Sequence, residues 1–486
     1  MPNPAPLPPL VTSALGLGVD AFATVRAAIS AGIADARSSF ELTLAAPTAD
    51  WGFLVLAGIE PLVDALERLK PRSDELDWLV STGVLDGPAR RRLHDMRFAC
   101  DVDTAPEGSV VFPGEAVLTV EGPFWQAQLV GGLVHAAVTD STLLATRFAR
   151  MGLASGGYPV VEDGAATAHR LGGTPLLARA AYVGGAIATT SGVAARRYRI
   201  PVIARPPASL DLAAGDVDRA ARAWLATSHG DCVLRLDPAR ARRDLPLLAA
   251  AVRDRALASP ARFDPGKVLV ELPGGDRVAL ARATARAFIA AELPPPRLLI
   301  SGDVDERLAL ELRAELSLDK LFVVRGEGTP NGPSFARYDL VAIESKGAWS
   351  PRMRIGHDVG SSSDPARKLL VRYVDADGHP VADVAHGTGE RFLRAQGGRY
   401  VDRATGMVAR LDAASGAPLR TSALRAGKRA SPSETPATLR DRARRAVEAL
   451  DEGHRRIASP ARYPVGMSPP LAAQKADLLA QASAPE

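Results

Sequence analysis

Six apolar runs in the middle of the chain are each followed by residues whose types could do chemistry. Together with those residues they read YPVVEDG, IPVIARPPAS, CVLRLDPAR, KVLVELPGGD, RLLISGDVDE and LFVVRGEGT. Arg205 is a cation at the end of one run, where a guanidinium could bind a phosphate or could instead lie in solvent. Asp237 could serve a site or hold a turn, and Asp303 could serve a site or cap the next helix. Each of these residues therefore has two possible roles, one in ligand binding and one in local structure.

Other features along the same region give weaker signals. The segment RGEGTPNG has the glycine content of a phosphate-binding loop, but it contains Glu327 and no clear helix follows it. We expect His169 and His229 to be surface residues, and Arg196 and Arg197 to end a helix in solvent. None of these residues defines a site by itself.

The elements that must position the strand-end residues alternate between strand-like and helical segments. Alanine-rich stretches such as GGTPLLARAAYVGG, VDRAARAWLAT and LPLLAAAVRDRAL separate the apolar runs. This β/α alternation predicts a parallel sheet, with about as many strands as an irregular (β/α) barrel needs. Functional side chains of such barrels lie on the loops that follow the strands, so we expect the chemistry there.

The flanking regions have different patterns, and we predict three domains. Residues 1–150 form an N-terminal α/β domain, with the alternating run FELTLAA as an early strand and GSVVFPGEAVLTVEGP as two strands around a Pro-Gly turn. Residues 151–355 form the irregular α/β barrel. Residues 356–486 form a C-terminal extension that ends in a helix, with short strands and loops over 357–435 and an amphipathic helix over 436–456.

Composition excludes several classes of protein. The chain has 486 residues, with 59 basic and 55 acidic side chains and only 5% aromatic residues, so nucleic acid is not an expected partner. Mean hydropathy is +0.01, and no apolar run is long enough to span a membrane. The proline-rich N-terminus lacks the basic region of a signal peptide. Two cysteines cannot form a disulfide framework, so we expect a cytoplasmic protein.

Four stretches, in this order, resemble the nicotinate phosphoribosyltransferase family from about residue 10 to the end. They are VDTAPEGSVVFPGEAVLTVEGP, LARAAYVGGAIATTSGVAARRYRIPV, LLISGDVDE and YPVGMSPPL. The resemblance implies an N-terminal α/β domain, the irregular (β/α) barrel of type II phosphoribosyltransferases and a C-terminal extension, usually in a head-to-tail homodimer. It also implies the joining of nicotinate to phosphoribosyl pyrophosphate for NAD salvage, with Mg²⁺ present and ATP hydrolysis coupled through a phosphorylated histidine.

The chain departs from the family pattern at its charged positions. The family's Gly-Thr-x-Ala-His-Ser is matched by Ala204 to Ser209, which puts Ala208 in the place of the histidine. Ala166 and Thr167 stand where the family has two arginines, and Glu271 stands where it has a third. Alanine cannot accept a phosphoryl group, so the resemblance predicts that ATP coupling is lost and that Mg²⁺ and ATP matter only if the family activity survives.

The resemblance, together with Arg205, also gives a set of candidate substrate-binding residues, but no metal ligand. They are Thr190, Ser191, Arg205, Ser209, Asp237, Gly275, Asp276, Ser301, Gly302 and Asp303. A phosphoribosyl or nicotinate-like small molecule is the expected ligand. Three hypotheses follow: a working family enzyme, an inactive homologue that binds a metabolite or a partner, and a phosphoribosyltransferase of shifted specificity without ATP coupling. The third would need cations such as Arg205 or Arg325.

Overall fold

The computed structural model describes residues 17–163, 174–227, 231–324, 336–356, 362–394 and 396–483. The chain divides into two units. Unit 1 contains Met1–Thr146 and Thr329–Glu486, and unit 2 contains Arg147–Gly328. The three domains expected from the sequence, with boundaries near residues 150 and 355, stay a prediction. No helix in the described residues is long and apolar enough to cross a membrane.

Sixteen α-helices lie within the described residues. Their bounds are α1 Val19–Ser30, α2 Ile59–Glu67, α3 Ser73–Ser81, α4 Gly87–His94, α5 Phe124–Leu129, α6 Gly131–Ser155, α7 Thr174–Val183, α8 Gly192–Tyr198, α9 Ala208–Ala214, α10 Val217–Thr227, α11 Ala241–Ala258, α12 Arg277–Ala290, α13 Glu306–Glu315, α14 Pro436–Glu448, α15 Glu452–Arg455 and α16 Pro469–Ser483. The amphipathic helix predicted over 436–456 is thus two helices, because Asp451 has a non-helical backbone, with a ψ of 149°, between α14 and α15.

The same residues contain twenty-one β-strands. Their bounds are β1 Arg37–Leu44, β2 Leu54–Val55, β3 Asp101–Thr104, β4 Val110–Val111, β5 Ala116–Pro123, β6 Val160–Glu162, β7 Ala188–Thr189, β8 Cys232–Arg235, β9 Val268–Leu272, β10 Arg297–Ile300, β11 Lys320–Val324, β12 Ala336–Ser345, β13 Ala348–Pro351, β14 Lys368–Val374, β15 Pro380–Gly387, β16 Gln396–Asp402, β17 Val408–Asp412, β18 Ser415–Pro418, β19 Thr421–Arg425, β20 Lys428–Arg429 and β21 Val465–Met467. The strand predicted before residue 60 is confirmed as β1.

Unit 2 contains the parallel sheet that the β/α alternation predicts. Its strand order is β7-β6-β11-β10-β9-β8, and every pair is parallel. Helices connect the successive strands, as parallel pairing requires. The sheet forms the half-barrel of an irregular (β/α) fold, so the predicted fold class is confirmed.

The run IPVIA does not form the full strand expected of it. Only Val202 pairs, in an isolated parallel bridge with Thr189. Pro201 and the Pro206-Pro207 pair have no amide hydrogen to donate, so this stretch cannot extend a ladder in either direction. The bridge still brings the loop that follows it to the edge of the sheet.

Unit 1 is built around a seven-stranded antiparallel sheet in the order β13-β12-β1-β5-β3-β19-β20. The strand β1 pairs with β5 on one side and with β12 on the other, so the sheet joins three stretches that are far apart in the sequence. A second, mixed sheet has the order β17-β16-β21-β15-β14-β18, and β2 pairs with β4. The Pro-Gly turn predicted between two strands lies between β4 and β5, as the sequence indicates.

Candidate ligand-binding site

One face of the parallel sheet is apolar near the middle of its strands and polar at their ends. Side chains on a strand alternate between faces, so residues two apart point the same way. Each of the six strands contributes to the apolar layer, which contains Val161, Ala188, Val233, Leu269, Leu299, Leu321 and Val323. Residues two positions further along five of these strands form the polar layer, namely Asp163, Thr190, Arg235, Glu271 and Ser301. The sixth strand, β11, continues with apolar Val323.

These side chains line a cavity of about 610 Å³, which we call the strand-end cavity. Its polar lining consists of Asp163, Thr190, Arg205, Arg235, Glu271 and Ser301. The apolar part of its lining includes Ile203, Pro206, Pro207 and Ala208 from the loop after the bridge and the start of α9. The volume lies in the range of sites that bind small molecules.

Arg205 is held between two carboxylates in this cavity. One guanidinium nitrogen bonds to Asp163, and another lies 2.5 Å from Oε1 of Glu271. The same Glu271 oxygen accepts a hydrogen bond of 2.6 Å from the Ser301 hydroxyl, and Thr190 donates to Asp163 at 3.0 Å. Asp163 follows β6 and Glu271 lies in β9. The strands β11 and β10 lie between β6 and β9 in the sheet. One arginine can reach both only because the sheet curves towards a half-barrel.

The two carboxylates fix the charge of Arg205. Its side chain is 19% exposed, and burial opposes its charge. Glu271 and Asp163 outweigh burial, so the pKa of Arg205 is raised. Arg205 is therefore always charged, but its charge is already neutralised by groups that a ligand would have to displace.

Gly302 allows the ends of β9 and β10 to approach each other. It has a φ of 90°, and a Cβ at this position would lie 2.2 Å from the backbone oxygen of Pro273. Arg277, from α12, donates a hydrogen bond of 2.8 Å to the backbone oxygen of Ser301. Any side chain at residue 302 would push these two strand ends apart.

The structure brings four of the ten predicted residues into the cavity lining: Thr190, Arg205, Ser301 and Gly302. Three others cap helical segments. Ser191 accepts from the Ala194 amide at the start of α8, Asp276 from Ala279 at the start of α12, and Asp237 from Ala239 in a short 3-10 turn.

The remaining three predicted residues lie outside this lining. Ser209 is exposed in the first turn of α9, and Gly275 has a φ of 72° in the loop before α12. Asp303 does not cap the helix that follows it, because Asp305 accepts the hydrogen bond from the Leu308 amide instead. As members of a site, these residues stay predictions.

The sequence predicted Thr190, Arg205 and Ser301 as site residues, but it did not predict that they form one hydrogen-bonded network with Asp163 and Glu271. Glu271 stands out only as a departure from the family pattern, and Asp163 and Arg235 do not stand out at all. The available signal was the alternation itself, since each of these residues lies two positions after an inward apolar residue of its strand. Several predicted features, namely Ala166, Thr167, His169, His229, Arg325 and Glu327, lie outside the described residues.

Among the residues that the structure describes, one group has the composition of a metal site. It consists of Asp375, Asp377 and His379 in the turn between β14 and β15. Asp375 Oδ1 accepts the backbone amides of Asp377 and His379 at 2.9 and 2.8 Å. The group is a side-chain-stabilised hairpin turn, and exposed carboxylates of this kind need no metal.

Comparisons with known proteins agree with the fold. Two family models match, the nicotinate phosphoribosyltransferase (NAPRTase) N-terminal domain at residues 21–138 and the nicotinate phosphoribosyltransferase C-terminal domain at residues 367–475. The chain is 30% identical over 330 residues to nicotinate phosphoribosyltransferase pncB2 of Mycobacterium tuberculosis, which covers 66% of this chain and 68% of that protein. It is 27% identical over 508 residues to the human nicotinate phosphoribosyltransferase, covering 91% and 92% of the two chains.

The solved structures give the same architecture. The crystal structure of human nicotinic acid phosphoribosyltransferase has a TM-score of 0.73, with 22% identity over 95% of this chain and 99% of that one. Both the arrangement of a curved parallel sheet with a strand-end cavity and these matches define a type II phosphoribosyltransferase fold. The chain belongs to the nicotinate phosphoribosyltransferase family.

Among the described residues, those at the strand-end cavity do not fit the ATP and Mg²⁺ chemistry that the family resemblance implies. Ala208, which the family resemblance matches to the phosphoryl-accepting histidine, is the first residue of α9, and its methyl group cannot accept a phosphoryl group. Asp163 and Glu271 are bound by Arg205, and Asp237 and Asp276 are helix caps. These four carboxylates are thus engaged in contacts within the protein.

Proposed function

We propose that this protein is a nicotinate phosphoribosyltransferase homologue that has lost the ATP-coupled reaction and keeps the strand-end cavity as a binding site for a small molecule. The observation that carries this proposal is the Arg205 network. Phosphoribosyl pyrophosphate is a polyanion, so its binding requires cations or Mg²⁺ that other groups have not already neutralised. Here Arg205 is neutralised by Asp163 and Glu271, and two arginines face two carboxylates across the lining.

The balance of charged side chains in the strand-end cavity favours a ligand that is neutral or carries one anionic group. A polyanion in this cavity would have to compete with both carboxylates for Arg205. Arg235 also lines the cavity, where it interacts electrostatically with Asp211. It could bind a single anionic group, and it is the feature that favours a second candidate function, a phosphoribosyltransferase of shifted specificity that does not use ATP.

Product formation and protein labelling by ATP test whether the family reaction is lost. We expect no nicotinate mononucleotide when the protein is incubated with nicotinate, phosphoribosyl pyrophosphate, Mg²⁺ and ATP, and no labelled protein after incubation with γ-labelled ATP. The Mycobacterium tuberculosis relative is the positive control, and product is measured by mass spectrometry. We expect the three lost arginine contacts to lower turnover by at least about a thousandfold relative to the control. Turnover closer to the control than that would overturn the proposal.

Restoring the histidine alone should not restore the reaction. Ala208→His places an acceptor at the exposed start of α9 but leaves the charges of the cavity unchanged. We expect the turnover of this variant to stay at the background level, and adding Glu271→Arg should improve pyrophosphate binding before it improves turnover. Substantial turnover by Ala208→His alone would show that the protein is an enzyme with one step removed.

We further propose a cytoplasmic homodimer that does not bind nucleic acid. The two cysteines, Cys100 and Cys232, are buried free thiols, which supports a reducing compartment. The nearly balanced charge argues against a nucleic-acid surface, and the family resemblance supports a head-to-tail dimer. Light scattering after gel filtration should give twice the chain mass of 51.0 kDa, and a mass of one chain would contradict the dimer.

A further inference from the structure

A second cavity lies within unit 1, remote in sequence from the strand-end residues, and we call it the α16 cavity. It has a volume of about 900 Å³. Most of its lining is apolar and includes Trp51, Phe112, Val401, Val465, Met467 and Leu479. Tyr463 also lines it and stacks on Phe112 with ring centroids 3.5 Å apart and planes 6° apart. Phe112 is fully buried and Arg372 also lies over its ring, so a ligand would meet Tyr463 and the half-buried Trp51, whose flat surfaces favour a flat ligand.

One wall of the α16 cavity carries more positive than negative charge. Lys475 on α16 lies 2.8 Å from Asp364, and Arg403, which follows β16, bonds to the other oxygen of the same carboxylate. Two cations therefore share one anion. The other charged pair of the lining, Arg462 with Asp402 at 2.9 Å, cancels itself.

Two further carboxyls act on Arg403, namely Glu115 and Glu41. Burial raises the pKa of Glu115 well above its usual range, which favours its neutral form. Glu41 is already paired with Lys368 and Arg420. Neither carboxyl therefore neutralises the excess positive charge of this wall.

These cations are built into the protein rather than placed on its surface. Lys475 is 7% exposed and Asp364 is also buried. Arg403 passes over Gly114 in the Pro-Gly turn, where a Cβ would lie 3.0 Å from its Cδ, so the glycine leaves room for the arginine. The Nε of Arg403 is buried and has no hydrogen-bond partner within the described part of the chain. A buried donor without an acceptor is costly unless a ligand or water completes it.

We propose that the α16 cavity binds an apolar, ring-bearing small molecule that carries one anionic group, with the anion on Lys475 and Arg403 and the rings against Tyr463 and Trp51. The shared carboxylate leaves one positive charge uncompensated, which sets the charge of the ligand. The apolar walls set its body. This site does not depend on the strand-end cavity or on the reaction of the family.

The titration of Lys475 agrees with an excess of positive charge. Burial, together with nearby Arg403, Arg337 and Lys368, lowers the pKa of Lys475 to about 8, although Asp364 faces it as a counter-charge. A bound anion would favour the protonated amine. Anion affinity should therefore fall as the pH rises through 8, because the unliganded protein loses the Lys475 charge there.

Two probes of the same shape test the proposal by isothermal titration calorimetry. They are 2-naphthoate, which is an anion, and 2-naphthamide, which is neutral. We expect the wild-type protein to bind 2-naphthoate about tenfold or more tightly than 2-naphthamide at neutral pH. Equal affinities, or no binding of 2-naphthoate at millimolar concentration, would overturn the proposal.

Two variants locate the binding. Lys475→Met should weaken 2-naphthoate by about tenfold and leave 2-naphthamide nearly unchanged, whereas Lys70→Met, at an exposed lysine, should change neither. Ala476→Trp places a large side chain at an exposed lining position and should weaken both probes without disturbing the core. If Lys475→Met does not fold, Ala476→Trp still decides: 2-naphthoate binding that persists in this variant would show that the probe binds elsewhere and would overturn the proposal.

Discussion

Two cavities, one in each unit, have opposite arrangements of charge. In the strand-end cavity one cation, Arg205, lies between two carboxylates. In the α16 cavity one carboxylate, Asp364, lies between two cations. The first arrangement uses its arginine for structure and weakens the site for polyanions. The second leaves a positive charge that its own counter-ion does not neutralise. The family resemblance points to the first cavity as the place of chemistry, but the second has the stronger electrostatic preference for an anion.

Removing the central carboxylate of the α16 cavity should have the largest effect. Asp364→Asn leaves Lys475 and Arg403 buried beside each other with no shared anion, and breaking such a buried pair costs about 3–5 kcal/mol of unfolding free energy. Urea denaturation measures this loss. Adding Lys475→Met to the variant removes one of the two cations and should recover part of the stability. A loss no greater in the single variant than in the double would contradict the charge arrangement described here.

Removing the central cation of the strand-end cavity is the mirror experiment. Arg205→Ala leaves Asp163 and Glu271 without their shared cation, and we expect a loss of about 2–4 kcal/mol, less than for Asp364 because Arg205 is partly exposed. Millimolar Mg²⁺ should stabilise this variant more than the wild type, since two carboxylates would then be free to bind it. Equal stabilisation of the two proteins by Mg²⁺ would show that the carboxylates are not close enough to act together.

The pH dependence of stability sharpens the contrast. The pKa of Lys475 is about 8 in the folded protein against an ordinary value of 10.5, so between these values the unfolded chain binds more protons than the folded one. Stability from this group should rise with pH over that window, by roughly 3 kcal/mol at most. The measurement is the difference in unfolding free energy between wild type and Lys475→Met from pH 7 to 10. A difference that does not change with pH would mean that Lys475 titrates normally.

The smallest effect concerns the anion affinity of the strand-end cavity. Glu271→Gln keeps an acceptor for the Ser301 hydroxyl but removes one of the two charges that neutralise Arg205. We expect pyrophosphate to bind about three- to tenfold more tightly, as measured by calorimetry. Glu311→Gln, at an exposed position of α13, is the matched control and should have no effect. Unchanged affinity in Glu271→Gln would show that Arg205 is not what limits anion binding.

Sequence patterns predicted much of the fold because it depends on local signals. The β/α alternation predicted the parallel sheet of unit 2, and the Pro-Gly turn predicted that one strand, β4, ends and another, β5, begins around it. The run IPVIA was the exception, because Pro201 within the run and Pro206 and Pro207 after it lack the donors that a strand needs. Pairings such as that of β1 with β12 join residues too far apart for any local pattern to indicate.

The sites were harder to predict, for a physical reason. From the sequence alone, Arg205 could equally lie in solvent or bind a ligand. Its partners Asp163 and Glu271 come from β6 and β9, which only the curvature of the sheet brings together. Lys475 lies in a helix whose sequence, LAAQKADLLAQ, is typical of one with a solvated polar face. Its burial depends on β16 and on the segment before β14. Ion pairs between distant segments leave no periodic signal.

The strands of the seven-stranded antiparallel sheet are separated in the sequence by unit 2, and this affects how the chain folds during its synthesis. On the ribosome, β1 can pair with β5 early, but the partner of its other edge, β12, emerges only after the whole of unit 2 has been synthesised, since Phe40 pairs with Leu340. Domains that are contiguous in sequence can fold as they emerge, so the parallel sheet can be complete before β1 is covered. An uncovered strand edge is a template for pairing with other chains. The nascent protein therefore carries an open edge through the synthesis of unit 2, and in that interval aggregation competes with folding.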